Sequence, residues 1–235
     1  MFSGGYLGYM IIAGLMSLVG MWVSGRLKNK FAHYSTIRTS SGMSGREIAV
    51  QMLRNFGIHD VKVVESQGFL TDHYNPLNKT VALSPGVYRG QSVASAAVAA
   101  HECGHAVQHA NAYPFLQVRS GIVPVVKFAA VAQQWLLIFA LGGLGIGMSG
   151  STTLLFWTII AYSITTLFAL VTLPVEFDAS RRALLWLDQS GVAKGHEYAG
   201  ARDALQWAAM TYVASALASL VVLLYLIARY AALRN

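Results

Sequence analysis

The sequence predicts a mainly α membrane protein, with about four transmembrane helices and a small α+β domain on the cytoplasmic side. Three observations predict it. Hydrophobic residues make up 55% of the 235 and charged residues only 11%, against roughly 25% charged in soluble domains. That leaves too little polar surface for a free globule. Four stretches are long and almost uncharged. Between the first and the second lies a polar segment in which helix and strand patterns alternate.

The four stretches are Tyr6–Val23, Gly121 to about Gly147, Thr152–Leu173 and Ala208–Ala228. Each is close to or above the ~20 apolar residues that cross a bilayer core as a helix. The first is the shortest. No Lys or Arg precedes it and no small-residue cleavage site follows it, so it reads as a retained anchor rather than a cleaved signal. Ser24–Ser120 carries most of the 17 Lys and Arg, Pro174–Trp207 adds Arg181, Arg182, Lys194 and Arg202, and the turn Met148–Ser151 carries none. The positive-inside bias therefore puts both larger loops in the cytoplasm and the N-terminus outside. Arg229 and Arg234 run against that trend. The net charge of +7 is spread along these loops and not gathered into a patch, which argues against a nucleic-acid partner. The single cysteine, Cys103, excludes an intrachain disulfide and fits a reduced compartment.

The expected organisation is an anchor at 1–23, a domain at 24–120, two spans at 121–173, a cytoplasmic helical segment at 174–207 and a last span at 208–235. Ser24–Ser44, basic and rich in Ser and Thr, reads as a juxtamembrane linker. In "SGREIAVQMLRNFG" Ser44 and Glu47 form a capping box. Ile48, Met52, Leu53 and Phe56 share one face, and Gly57 ends the helix. "VKVVES" is a short strand, and "GFLTDHYNPLNKTVALSP" reads as turn, strand, turn, strand, broken at Asn75-Pro76. A second helix runs from about Ser92 to Ala110.

That second helix carries "AAHECGHAVQHA". His101 and His105, four apart, lie one above the other on a helix face. Glu102 beside them can reach a water on a shared ion without binding the ion. This is the HExxH pattern of two zinc ligands and a general base. The competing possibility is a polar stripe on a buried helix, but unpartnered buried groups cost on the order of several kcal/mol each, and a cation removes much of that cost. Cys103 points away from the His101/His105 face and reads as a helix filler. His109 lies about 12 Å along the axis from His101, too far to share the ion comfortably, and reads as a supporting or packing residue.

Zinc needs a third protein ligand. Position 111 is Asn, so an extended motif with a third His is absent. The best source is "LPVEFDASRRAL" at 173–184. Glu176 and Asp178 stand out there, although pairing with Arg181 and Arg182 at helical spacing explains them equally well. Lys79–Ser84 reads either as an edge strand that pairs with extended substrate or as an ordinary core strand. His73 reads as a loop residue.

HExxH followed, after membrane spans, by a helix that opens with Glu resembles the membrane-embedded gluzincins, the HtpX-like and CAAX prenyl proteases. A closer resemblance, over nearly the whole chain, is to the YugP-like neutral zinc metallopeptidases of bacteria. It rests on the N-terminal anchor, "DHYNPLNKTVALS", "AAHECGHAVQHA", "VRSGIVP" and "LPVEFDASRRAL". The resemblance implies a zincin-like domain, Zn2+ as cofactor, Glu176 as third ligand and a location in the bacterial inner membrane with the site facing the cytoplasm. The gluzincin helix reads ExxxD, but position 180 is Ser. The carboxylate that usually supports a histidine is therefore missing there, and Asp178 is a candidate to replace it.

On this basis the expected activity is zinc-dependent endopeptidase, with Glu102 as general base. The expected partners are a peptide or protein substrate, a membrane protein among the candidates, and the lipid bilayer. His196, Tyr198, Arg181 and Arg182 are candidate oxyanion donors by position only. Two alternatives compete: a non-catalytic membrane scaffold with a structural or sensory zinc site, and a transporter with an intramembrane ion site. Glu102 disfavours the first, since a closed structural site has no use for it. Spans almost free of ionisable residues disfavour the second. The sequence assigns no substrate and no oligomeric state.

Overall fold

A computed structural model describes residues 4–141 and 152–234. Seven helices and three strands follow in order: α1 Gly4–Ser35, α2 Gly45–Asn55, β1 Lys62–Glu65, β2 His73–Asn75, β3 Thr80–Leu83, α3 Pro85–Tyr88, α4 Val93–Ala110, α5 Pro114–Leu141, α6 Thr152–Gln189 and α7 His196–Arg234. Helices α1, α5, α6 and α7 are long and apolar enough to cross a membrane. The mainly α fold with a small α+β part is as expected. The far end of the second span, toward Gly147, and the turn Met148–Ser151 lie outside the described residues.

The chain divides into two compact units. The first comprises Met1–Val23, Val118–Leu173 and Thr211–Asn235. Its small core gathers Ala140, Leu155, Tyr162, Val222 and Leu226, and Tyr225 donates to the Gly5 carbonyl at 2.6 Å. Large apolar side chains such as Leu15, Phe128, Trp135, Trp157 and Leu224 point outward. That surface suits lipid, where a helix satisfies its backbone polar groups internally.

The second unit comprises Ser24–Gln117 and Pro174–Met210 and holds all the candidate site residues. Its core packs Ile48 and Met52 of α2, Val81 and Leu83 of β3, the small residues of α4, and Ala183 and Leu187 of α6. Each large apolar side chain fully buried here contributes about 1.5–3 kcal/mol. Ser44 caps α2 in a reciprocal box with Glu47, as its spacing predicts, and Gly57 leaves the helix at φ 69°, a conformation that favours glycine.

One expectation is corrected here. Ser24–Ser35 is not a linker but the continuation of α1. Its polar composition hides two anchors: Phe31 packs into the core, and Lys30 and the Tyr34 hydroxyl both reach the Asp203 carboxylate at 2.7 Å. The structure also decides between the two readings of Lys79–Ser84. The sheet order is β1-β3-β2, with β3 parallel to β1 and antiparallel to β2. Both edges of β3 are therefore already hydrogen-bonded, and it is a core strand that leaves no ladder free for a substrate. His73 lies in β2 and is exposed, with Nδ1 2.8 Å from the Thr71 carbonyl oxygen.

One contact sets the spacing of the helices that carry the site. A Cβ added at Gly104 of α4 would stand 2.6 Å from the carbonyl oxygen of Ala179 in α6. Alanine would gain up to about 1 kcal/mol in helix propensity over glycine. Overpacking against backbone costs about 1–3 kcal/mol and should win. Gly104→Ala is therefore expected to lower the melting temperature of the detergent-solubilised protein, as followed by circular dichroism. An unchanged or raised melting temperature would show that α4 and α6 separate without cost.

Candidate metal centre

Helix α4 starts where Ser92 accepts a hydrogen bond from the Ser95 N–H, and it ends at Asn111. Its buried residues include Ala94, Ala96, Ala97, Ala99, Ala100, Gly104 and Ala106. They leave little between the helix and its neighbours, so α4 sits deep in the unit while His101 and His105 share one side. The two imidazole rings meet edge to face, with centroids 4.8 Å apart. Helix α6 brings Glu176 to the same place.

Glu176 Oε2 lies 3.4 Å from His101 Nε2 and 3.6 Å from His105 Nε2. One ligand atom from each of the three residues falls within 4.8 Å of the others. A tetrahedral zinc ion with bonds of ~2.0–2.1 Å holds its ligand atoms about 3.3 Å apart. The donor set and its spacing therefore fit a zinc ion. Among the described residues no fourth His, Cys, Asp or Glu joins this cluster, which leaves one position for water or substrate.

Burial makes the cluster electrostatically tense without a cation. Glu176 is only 2% exposed. Burial pushes its pKa up, but the adjacent His101 and His105 imidazoles outweigh this and hold it well below the usual carboxylate range. Burial likewise disfavours the charged form of His105. The neighbouring Glu176 and Glu102 carboxylates more than offset this and raise its proton affinity above the ordinary imidazole value.

Glu102 is buried. Cys103 is buried on the opposite side, its Sγ 3.6 Å from the Ala49 carbonyl oxygen on α2, which agrees with its expected role as a filler. His109 is exposed and supports no ligand: its Nδ1 lies 2.7 Å from the Tyr74 hydroxyl. Arg181 and Arg182, candidate oxyanion donors by position, both pair with the Asp178 carboxylate. Tyr198 instead lines a groove of about 380 Å³ with Ser180, Arg181 and Arg202. His196 begins α7.

Two supporting side chains were not assigned from the sequence. Ser180, in the position where the resemblance leads one to expect Asp, sets its hydroxyl 3.1 Å from His101 Nδ1. Gln108 is fully buried, with Oε1 3.0 Å from His105 Nδ1. The signal for Gln108 was present as a lone amide one turn beyond His105 in an apolar helix.

The family described as "Putative neutral zinc metallopeptidase" matches residues 9–231. The chain belongs to this family. A protein of Bacillus subtilis (strain 168) described as "Putative membrane protease YugP" is 42% identical over 206 residues, which cover 88% of this chain and 89% of its relative. No solved structure matches the chain. Membership supports a zinc peptidase role and a membrane location, in agreement with the apolar helices and the cluster around Glu176.

Replacing Glu176 by Ala is expected to weaken zinc binding by more than the roughly 10–100-fold that the loss of a supporting partner costs. Competition with a chromogenic chelator measures this. His109→Ala should leave affinity unchanged. Wild-type affinity in Glu176→Ala would remove Glu176 from the ligand set.

Proposed function

We propose that this chain is an integral membrane zinc-dependent endopeptidase, with His101, His105 and Glu176 holding Zn2+ and Glu102 acting as general base. The observation that carries the proposal is the convergence of three ligand atoms within 4.8 Å from an HExxH helix and a distant glutamate. Zinc bound there supplies a Lewis acid that polarises a carbonyl and brings the pKa of a water ligand to about 7. His101 and His105 would hold the ion through Nε2, and Glu176 through its carboxylate. Their partial burial limits water access and strengthens the electrostatics of the site.

Glu102 takes the proton from the attacking water on its carboxylate and passes it to the nitrogen of the leaving amine. The peptide C–N bond breaks, and the products are a carboxylate and an amine. The substrate is a peptide or protein, and the bilayer is the second partner. The Lys and Arg bias of the segments 24–120 and 174–207 supports a multi-pass inner-membrane topology with the site on the cytoplasmic side. The open ligand position favours catalysis over a structural zinc scaffold.

Glu102→Gln keeps the shape and removes the base. It should retain about one zinc per chain while casein hydrolysis falls by ~10²–10⁴-fold. Metal content by mass spectrometry and proteolysis on the same preparation decide the point. Equal casein hydrolysis in variant and wild type would rule out Glu102 as the base.

A further inference from the structure

Gln108 makes every hydrogen bond that its amide nitrogen can donate. Nε2 donates to the Val175 carbonyl at 2.8 Å and to Asp178 Oδ2 at 2.9 Å. A backbone carbonyl and a carboxylate only accept, so the nitrogen must face them, and the amide cannot flip. Its oxygen therefore faces His105 Nδ1 at 3.0 Å, and an amide oxygen only accepts. Nδ1 of His105 must then carry the hydrogen, which leaves the lone pair on Nε2. That Nε2 is the atom 3.6 Å from Glu176 Oε2.

The carboxylate behind this chain is itself held. Asp178 is buried and pairs with Arg181 and Arg182. His101 is supported differently. Ser180 Oγ lies 3.1 Å from His101 Nδ1, and a hydroxyl both donates and accepts, so it dictates no tautomer. Position 180 thus lacks a carboxylate, and position 178 supplies one by a longer route.

We infer that Gln108 is a positioning residue that relays the Asp178 carboxylate to His105, fixing the Nδ1–H tautomer and presenting Nε2 to the metal. This rests on the metal reading of the site. Ligating histidines almost always donate their other N–H to such a partner, and losing it costs about 10–100-fold in metal affinity. Here a neutral amide stands between ligand and carboxylate. Its length bridges α4 to a residue of α6 two positions past Glu176. The same side chain therefore ties the orientation of one ligand to the helix that carries another.

The test is a double-mutant cycle on the full-length protein in detergent, with Gln108→Met, Asp178→Asn and the double variant. Zinc affinity is read by chelator competition at a temperature where each variant is folded, and the visible bands of the cobalt(II)-loaded protein are recorded. Leu187→Ala, in the core away from the cluster, serves as a control of similar lowered melting temperature. Gln108→Met is expected to lose about 10–100-fold in zinc affinity with altered cobalt bands. Asp178→Asn should lose affinity in the same direction. The double variant should be no weaker than Gln108→Met, because Asp178 acts through Gln108. Leu187→Ala should keep wild-type affinity and spectrum. Wild-type affinity in Gln108→Met with only a lowered melting temperature would overturn the inference, as would full additivity in the double variant. Should Gln108→Met fail to fold, Asp178→Asn decides alone: wild-type affinity and cobalt bands there would overturn the relay. A wild-type protein that binds no zinc would instead overturn the metal reading beneath it.

Discussion

The close approach of α4 to α6 at Gly104 and Ala179 is the constraint on which the site depends. A metal centre built from two helices works only if their ligand atoms come within a few ångströms, and side chains as short as Glu leave little slack. Glycine at 104 removes the Cβ that would meet the Ala179 carbonyl at 2.6 Å. His101 and His105 flank that glycine on α4, and Glu176 sits one turn before Ala179 on α6. The alanines along α4 extend the same economy of volume to the rest of the unit, so the helix can be buried on several sides.

That depth has an electrostatic consequence. The same packing that brings His101, His105 and Glu176 together keeps most water from them. Desolvation alone would neutralise Glu176 and His105, yet the attraction among the neighbouring groups prevails for both. Such a cluster is costly unless something positive resides in it. Two arginines stand close by in sequence, but both are committed to Asp178. Their pairing keeps that carboxylate charged beside Gln108.

Much of this was legible in the sequence. Apolar runs over a bilayer length gave the long helices, and the His101/His105 spacing gave a shared helix face. Ser44 with Glu47 gave the start of α2. Glu176 was reachable only through scarcity of acid and through resemblance, because no local rule says which distant carboxylate folds back onto a helix. What escaped was decided by partners far away in the chain. Ser24–Ser35 looks like a linker until Asp203, 169 residues from Tyr34, holds it in helix. Lys79–Ser84 reads as a strand from its own residues, and only the sheet order shows that both its edges are taken. His109 follows the histidine stripe in register, but its position one turn too far along the axis turns it to Tyr74 instead. Gln108 carries no motif, and its role is set by what α6 places opposite its amide nitrogen.

The most direct test of the central claim is X-ray absorption at the zinc edge of the purified, zinc-loaded protein. The account predicts a first shell of nitrogen and oxygen atoms only, at ~2.0–2.2 Å, with outer scattering from two imidazoles. The third protein donor should be a carboxylate, and a light atom from solvent should fill the remaining position. A sulfur scatterer at ~2.3 Å would place Cys103 on the metal and contradict the geometry of α4. Scattering from three imidazoles would bring in a histidine other than His101 and His105 and contradict the assignment of Glu176.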